Sequence, residues 1–238
     1  MKVLIVTAHP HYAACYLGGT VANHVEKGDE VYVVSITKGE KVTNLYSEKE
    51  VMEINVKEMA AAAKVLGIKE VNYLDVEDTC IFQTDEIRLK ITESIRRIKP
   101  DIIISHWKCD SHPDIRATAE MVEDCIFLAM LKQGKWAANF EPHFTKKHYA
   151  FDMPNYSRNF EPDYFVDIKK NLQKKKDATA CLKLHLEVDT KGDLDKWLYT
   201  ILKSNKRWGI EPGVEYAEAF RRIKIHEVFD PAVICLPE

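Results

Sequence analysis

Several features common in proteins are scarce or missing in this chain of 238 residues. Glycine and proline occur only nine times each, too rarely for a fibrous or low-complexity protein, and the hydrophobic content of 46% is too high for a disordered one. No apolar run approaches the roughly 18 residues that a membrane-spanning helix needs, so we predict no membrane span. With 34 Lys and Arg against 37 Asp and Glu, the net charge of -3 gives no general attraction to nucleic acid.

The six cysteines lie far apart, and no two of them form a CxxC pair. This spacing excludes zinc ribbons and thioredoxin-like redox motifs. The apolar run at residues 3–8 is too short for a secretory signal and lacks a cleavage region. We therefore predict a cytoplasmic protein with reduced, mostly buried thiols. The length fits a single domain over residues 1–238.

Apolar strands alternate with amphipathic helices through the first 131 residues. Continuous apolar runs, typical of strands buried on both faces of a parallel sheet, lie at residues 2–8, 29–37, 70–75 and 101–106. Helices with suitable start and stop signals are predicted at residues 17–28, 50–67, 84–100 and 112–131. The alternation predicts an α/β fold, a Rossmann-like three-layer sandwich with a mostly parallel sheet and a core strand order of 3-2-1-4.

Beyond residue 135 the alternation becomes less regular, and we predict a largely helical continuation of the same domain. Short strands are predicted at residues 147–152, 164–168 and 223–229. Helices are predicted at residues 169–187, 193–205 and 214–222.

Two polar loops follow strands 1 and 4, whose carboxyl ends are neighbours in the predicted order. Open α/β sheets usually bind their ligands at such a switch point. Four of the nine histidines fall in these loops, together with two carboxylates and a thiol. The residues are His9, His11, His106, Cys109, Asp110, His112 and Asp114. The cluster favours a functional site, because a catalytic zinc needs about three such ligands and nearby groups for proton transfer.

Several short motifs lie along most of the chain in a specific order. They are AHP at 8–10, GGT at 18–20, EMAAAAKVLGI at 58–68, DSHPD at 110–114, RAT at 116–118, VDI at 166–168, a Lys-rich helix with Ala178 and His185, and YAEAFR at 216–221. In this order they resemble the PIG-L/LmbE family of metal-dependent N-deacetylases. The resemblance implies amide hydrolysis on N-acetylglucosamine conjugates, and hence a small-molecule or sugar-conjugate ligand.

The resemblance breaks at the first metal-binding motif. In the family, AHPDD supplies a His ligand, an Asp that acts as general base and an Asp ligand. Here His9 matches the first ligand, His11 stands at the position of the base, and Tyr12 stands at the position of the second ligand. A neutral Tyr, with a pKa near 10, is a poor zinc ligand beside Asp.

The second motif, HPDH in the family, is also altered. His112 matches the residue that stabilises the tetrahedral intermediate, and Asp114 matches its acidic neighbour, so the resemblance makes both catalytic candidates. Ile115 stands where the third metal ligand is expected and has no donor atom. Two of the three ligand positions therefore carry residues unsuited to zinc.

Three interpretations of this site are open. In the first, which we favour, conventional zinc catalysis is lost, no cofactor is held, and the cleft serves binding or assembly. In the second, zinc or another divalent metal is bound by a rebuilt site of His9, His11, His112 and Asp110 or Cys109. In the third, His11 is a general base without metal and His112 polarises a carbonyl.

Substrate contacts are predicted at a few further positions. Asn55 stands where the family carries a substrate-binding Arg, three residues before Glu58, and Trp107 is a candidate for packing against a sugar ring. The glycine pair Gly18 and Gly19 opens the first long helix at the same edge of the sheet. Assembly into a homo-oligomer is left open. Histidines in helical or strand settings are predicted to be structural: His24, His185 and His226.

Overall fold

The computed structural model describes residues 1–132, 136, 139–154 and 156–224. Within them the core is a seven-stranded sheet of order β3-β2-β1-β4-β5-β7-β6. The strands are β1 Lys2–Thr7, β2 Glu30–Ser35, β3 Glu70–Tyr73, β4 Ile102–His106, β5 Lys147–Phe151, β6 Tyr164–Asp167 and β7 Ala217–Ile223. Strands β1 to β5 pair in parallel, and β7 runs antiparallel between β5 and β6. The predicted α/β class and core order 3-2-1-4 are confirmed.

The helices pack in two groups that cover the sheet. Helices α4 and α5 pack against each other, whereas α1, α2, α3 and α6 form a second group, with α7 and α8 following it. The described helices are α1 Tyr12–Cys15, α2 Gly18–Glu26, α3 Glu48–Leu66, α4 Asp85–Ile98, α5 Pro113–Leu128, α6 Leu172–Ala180, α7 Lys183–Thr190 and α8 Leu194–Gly209. None of these described helices is both long and apolar enough to cross a bilayer.

Local signals explain where the long helix α3 begins and ends. Ser47 and Glu50 form a capping box, in which each side chain accepts a hydrogen bond from the other residue's backbone amide. The helix ends at Gly67, whose φ of 79° is the left-handed conformation that suits glycine. These signals place α3 within two residues of its predicted range.

The carboxyl-terminal part differs from its prediction. The helix predicted at residues 214–222 is wrong, because Ala217–Ile223 is the strand β7. Its backbone groups pair with strands on both sides, and this pairing outweighs the helical preference of the local sequence. The helix predicted at 169–187 is a 3-10 turn followed by two helices that break near Leu182. Most of the strand predicted at 223–229 lies outside the described residues.

Candidate functional site

The site lies at the carboxyl ends of β1, β3 and β4. The segment after β1 carries His9 and Tyr12, and His112 is the N-cap of α5 in the segment after β4. The loop after β3 adds Asp78, a buried carboxylate to which no spacing in the sequence points. The carboxyl ends of parallel strands lie at the same edge of the sheet, so these three segments meet there.

His9 lies at the centre of the polar contacts and is only 6% exposed. Its Nδ1 lies 3.2 Å from the hydroxyl oxygen of Tyr12. Its Nε2 lies 3.0 Å from Oδ1 of Asp78 and 3.3 Å from Oδ2 of Asp114. Burial alone lowers the pKa of His9, but the hydrogen bonds and charges of Asp114 and Asp78 outweigh burial and raise it to about 9. With this pKa, His9 is an imidazolium at neutral pH.

Backbone amides hold the two carboxylates in place. Oδ2 of Asp78 accepts a hydrogen bond from the amide of Lys41 at 3.0 Å, and Oδ2 of Asp114 accepts one from the amide of Thr79 at 2.8 Å. Burial raises the pKa of Asp78, but the hydrogen bond and charge of His9 outweigh it and lower the pKa to about 2. His9 and Asp78 thus form a buried ion pair whose geometry is fixed by the backbone.

Tyr12 and Ile115 stand at the two altered ligand positions, and both are buried, with exposures of 7% and 0%. The Tyr12 ring centroid lies 4.1 Å from that of His11 and 5.1 Å from that of His106. Burial raises the pKa of Tyr12 well above its usual value, which keeps the phenol protonated. A phenol and a hydrocarbon side chain therefore occupy positions where the resemblance implies metal ligands.

Three further histidines, the partly buried His11 and the buried His106 and His185, belong to this part of the site and are neutral. The ring centroids of His11 and His185 lie 3.8 Å apart, and His106 accepts a hydrogen bond from the amide of Ala8 at 3.0 Å. Burial, together with the charge of His9, lowers the pKa of each, to about 4 in His185. One ring nitrogen of each lacks a hydrogen-bond partner among the described residues. These unpartnered nitrogens make the interior of the site rich in hydrogen-bonding capacity.

His185 was expected to be structural, yet α7 places its ring against His11. The signal that could have revealed it is its place in a segment that carries the family resemblance. Asp78 and the buried Glu40 had no such signal. Oε1 of Glu40 accepts a hydrogen bond from the amide of Asp78 at 2.7 Å, so Glu40 supports the segment that carries the carboxylate.

His112 and Asp110 form the turn that starts α5. The amide of His112 donates to Oδ1 of Asp110 at 2.8 Å, and Nδ1 of His112 accepts from the amide of Asp114 at 3.2 Å. Burial, followed by the charge of His9, lowers the pKa of His112. One potential donor atom from each of His9, His112 and Asp114 lies within 4.8 Å of the others. This group differs from the predicted rebuilt site, because it contains Asp114 and lacks Asp110 and His11.

Asn55 and Trp107 both donate hydrogen bonds to backbone carbonyls. The amide of Asn55 is buried and donates to the carbonyls of Lys38 at 2.8 Å and Gly39 at 2.9 Å, which fixes the segment after β2. The indole of Trp107 is half-buried and donates to the carbonyl of Arg158 at 2.9 Å. Their predicted contacts with substrate stay predictions.

The glycine pair lies where α2 meets a buried ion pair. A Cβ on Gly19 would lie 2.4 Å from Cγ2 of Ile168, so only glycine fits without movement. The carboxylate of Glu218 accepts hydrogen bonds from the amides of Gly19 and Thr20 and from Nζ of Lys175 at 2.7 Å. The amide bonds place a negative charge at the amino end of α2, where the helix dipole favours it. Close packing against Ile168 thus explains why position 19 is a glycine. The predicted contact of Gly19 with substrate stays a prediction.

The fold and the site define an α/β protein with a cluster of histidines and carboxylates at the carboxyl edge of its sheet. Within this class, the family described as GlcNAc-PI de-N-acetylase, PIG-L, matches residues 4–126. The chain belongs to the PIG-L family, which confirms the resemblance of its motifs.

Relatives with two different activities are similar to this chain. A diacetylchitobiose deacetylase of Thermococcus kodakarensis is 27% identical over 228 residues, which are 92% of this chain and 82% of that protein. A 4-oxalmesaconate hydratase of Pseudomonas putida is 28% identical over 194 residues, or 76% of this chain and 72% of that protein. The solved structure of N,N'-diacetylchitobiose deacetylase from Pyrococcus horikoshii superposes with a TM-score of 0.82 at 26% identity, over 93% of this chain and 83% of that one.

Proposed function

We propose that this PIG-L family protein does not carry out conventional zinc-dependent N-deacetylation, and that its cleft binds a small-molecule or sugar-conjugate ligand. The observation that carries the proposal is the position of His9, both of whose ring nitrogens are engaged by protein groups. The relatives named for diacetylchitobiose support a sugar-related ligand.

The donor set at the family's ligand positions does not fit zinc. A metal-binding histidine usually donates one ring N–H to a carboxylate and uses the other nitrogen for the metal. In His9 the carboxylates face Nε2, and the remaining Nδ1 faces the hydroxyl of Tyr12 at 3.2 Å. Because Ile115 has no donor atom, no further ligand comes from its position, and one histidine alone cannot hold zinc usefully.

Metal analysis of the purified, full-length protein tests this proposal. We expect far less than one equivalent of zinc after the protein is equilibrated with a small excess of the metal and then desalted. One tightly held equivalent would contradict the proposal, because structural or catalytic zinc survives desalting.

A second candidate is an active amidohydrolase with a rebuilt metal site. The approach of His9, His112 and Asp114 to within 4.8 Å favours it, since these residues offer two imidazoles and a carboxylate. Turnover of an N-acetylglucosamine conjugate that is lost both in His112→Ala and after treatment with a chelator would support this candidate over the first. Turnover that survives the chelator would instead support metal-free chemistry with His11 and His112.

We also place the protein in the cytoplasm. All five cysteines in the described part of the chain are free thiols, which fits a reducing compartment. Cell fractionation with an antibody to the protein tests this location. Assembly into a homo-oligomer stays open, and light scattering of the purified protein determines it.

A further inference from the structure

A cavity of about 560 Å³ lies where β5 ends and α8 passes. Its size falls within the range of roughly 300–1,000 Å³ that is usual for small-molecule sites. Aromatic, acidic and basic side chains line it, among them Asp152, Phe160, Lys203, Arg207 and Trp208. The mixture of flat apolar and charged groups suits a ligand that has both an apolar face and a charge.

Aromatic rings connect this cavity to the segment after β4. Trp107, in the segment after β4, contacts Phe160 edge-on at 5.7 Å, and Phe160 contacts Trp208 edge-on at 6.1 Å. The indole N–H of Trp208 donates to Oδ2 of Asp152 at 2.8 Å, which fixes the orientation of the ring. The segment that carries Phe160 also pairs with the segment after β4 through an isolated bridge between Asp110 and Ser157. The cavity therefore has an aromatic wall, and its rings reach the segment after β4, which also carries His112.

The cavity also presents two unpaired cations. Lys203 and Arg207 are exposed and four residues apart on α8, so they lie on the same face of the helix. Neither forms an ion pair with a residue that the structure describes, and the Arg207 guanidinium lies 4.8 Å from the centre of the Trp208 ring. Burial raises the pKa of Asp152, and the nearby charge of Arg207 acts in the opposite direction. Although Asp152 and Glu161 also line the cavity, both cations are exposed and can be reached by an anion.

We propose that this cavity binds a ring that carries an anionic group, such as a sugar with a carboxylate or a phosphate. The ring packs against Phe160 and Trp208, and the anion binds Arg207 and Lys203 through charge-assisted hydrogen bonds. Arg207, whose guanidinium lies over the Trp208 ring, presents planar N–H groups that match a carboxylate or phosphate. The inference rests on the proposed function in one respect, namely that the protein binds a sugar-related ligand.

Calorimetric titration of the full-length protein with three ligands tests the proposal: glucuronate, glucose 6-phosphate and neutral glucose. We expect at least one of the two anionic sugars to bind at low ionic strength, to weaken as salt rises, and to bind about tenfold or more tightly than glucose, as charge-assisted hydrogen bonds contribute. Comparison of the two anionic ligands distinguishes a carboxylate from a phosphate as the preferred anion.

Single substitutions locate the binding site. Arg207→Gln and Lys203→Gln should each weaken binding of the anionic sugar about fivefold or more, because each removes one charge-assisted contact. Lys206→Gln is the matched control, since Lys206 lies on the same helix but packs over Tyr216 and does not line the cavity. All three positions are exposed, so thermal unfolding should be nearly unchanged.

The inference is overturned if none of the three sugars binds, if glucose binds as tightly as the anionic sugars, or if Lys206→Gln weakens binding as much as Arg207→Gln. Its failure is distinguishable from that of the proposed absence of zinc catalysis. A zinc-free protein that binds no anionic sugar contradicts this inference alone. A protein that holds one equivalent of zinc contradicts only the proposed loss of zinc catalysis, whatever the cavity binds.

Discussion

Nδ1 of His9 lies 3.2 Å from the hydroxyl oxygen of Tyr12, while the other ring nitrogen faces two carboxylates. Two positions that the family resemblance assigns to metal ligands are thus in direct contact with each other. Because the pKa of His9 is raised to about 9, its Nδ1 carries a proton at neutral pH and donates it in a hydrogen bond to the Tyr12 oxygen.

Tyr12→Phe should destabilise the protein by about 1–3 kcal/mol, since it leaves a buried, charged N–H donor of His9 without its partner. Urea unfolding followed by circular dichroism measures the difference. Tyr46→Phe is the matched control, because Tyr46 is 50% exposed, and it should change stability little. Equal stability of Tyr12→Phe and the unsubstituted protein would show that the hydrogen bond contributes nothing.

The ion pair of His9 and Asp78 predicts a defined pH window of stability. The pKa of His9 is raised from 6.5 to about 9, so its contribution is full below pH 6.5 and is lost as pH rises through 9. The pKa of Asp78 is lowered from 3.8 to about 2, so its contribution is full above pH 3.8 and is lost as pH falls through 2. The pair therefore stabilises the fold most between pH 3.8 and 6.5.

Unfolding free energies measured across pH in the unsubstituted protein and in Asp78→Asn test this window. The difference between the two should be largest between pH 4 and 6.5 and should shrink as the pH approaches 9. Glu77→Gln, an exposed neighbour, should show no such window. A difference that is constant across pH would mean that the carboxylate acts by packing and not by charge.

The sequence is sufficient to predict the sheet core and the two loops, but only part of the site. Continuous apolar runs predicted β1 and β4, and the switch-point rule brought His9 and His112 together. Asp78 lies in a loop and His185 in a helix, and tertiary packing brings both to the site. The periodicity of the local sequence gives no information about such packing. The helix predicted at residues 214–222 is wrong for a related reason. Pairing of β7 with strands on both sides overrides the helical preference of its local sequence.

Lys175→Met should destabilise the protein by about 3–5 kcal/mol, because it leaves the buried carboxylate of Glu218 without its cation. Lys175 and Glu218 are 1% and 2% exposed, so water cannot replace the lost partner. Lys174→Met, at an exposed position of the same helix, is the matched control and should be nearly neutral. Chemical denaturation gives both values, and a small effect of Lys175→Met would mean that the amides of α2 suffice to hold Glu218.

Thiol labelling of the native protein should follow exposure and pKa. Cys109 is exposed and should react first, whereas burial raises the pKa of Cys15 and Cys125 to about 12 and keeps them as unreactive thiols. Peptide mapping after brief treatment with iodoacetamide at pH 8 identifies the labelled sites. Labelling of Cys15 or Cys125 at the rate of Cys109, without denaturant, would contradict the burial of these thiols.

Restoring the family's ligands should restore zinc binding if the scaffold is otherwise intact. Tyr12→Asp combined with Ile115→His provides three ligands, namely His9, an aspartate at position 12 and a histidine at position 115. We expect this double variant to bind about one equivalent of zinc per chain. Either substitution alone leaves at most two of these ligands and should bind far less, which makes the single variants the matched controls. Ile115 is fully buried, so a polar imidazole at this position should cost about 1–3 kcal/mol of stability before metal is added. Zinc should then raise the melting temperature of the double variant alone, because a metal that binds only the native state stabilises it. A folded double variant that binds no zinc would mean that Tyr12 and Ile115 are not what prevents metal binding in this protein.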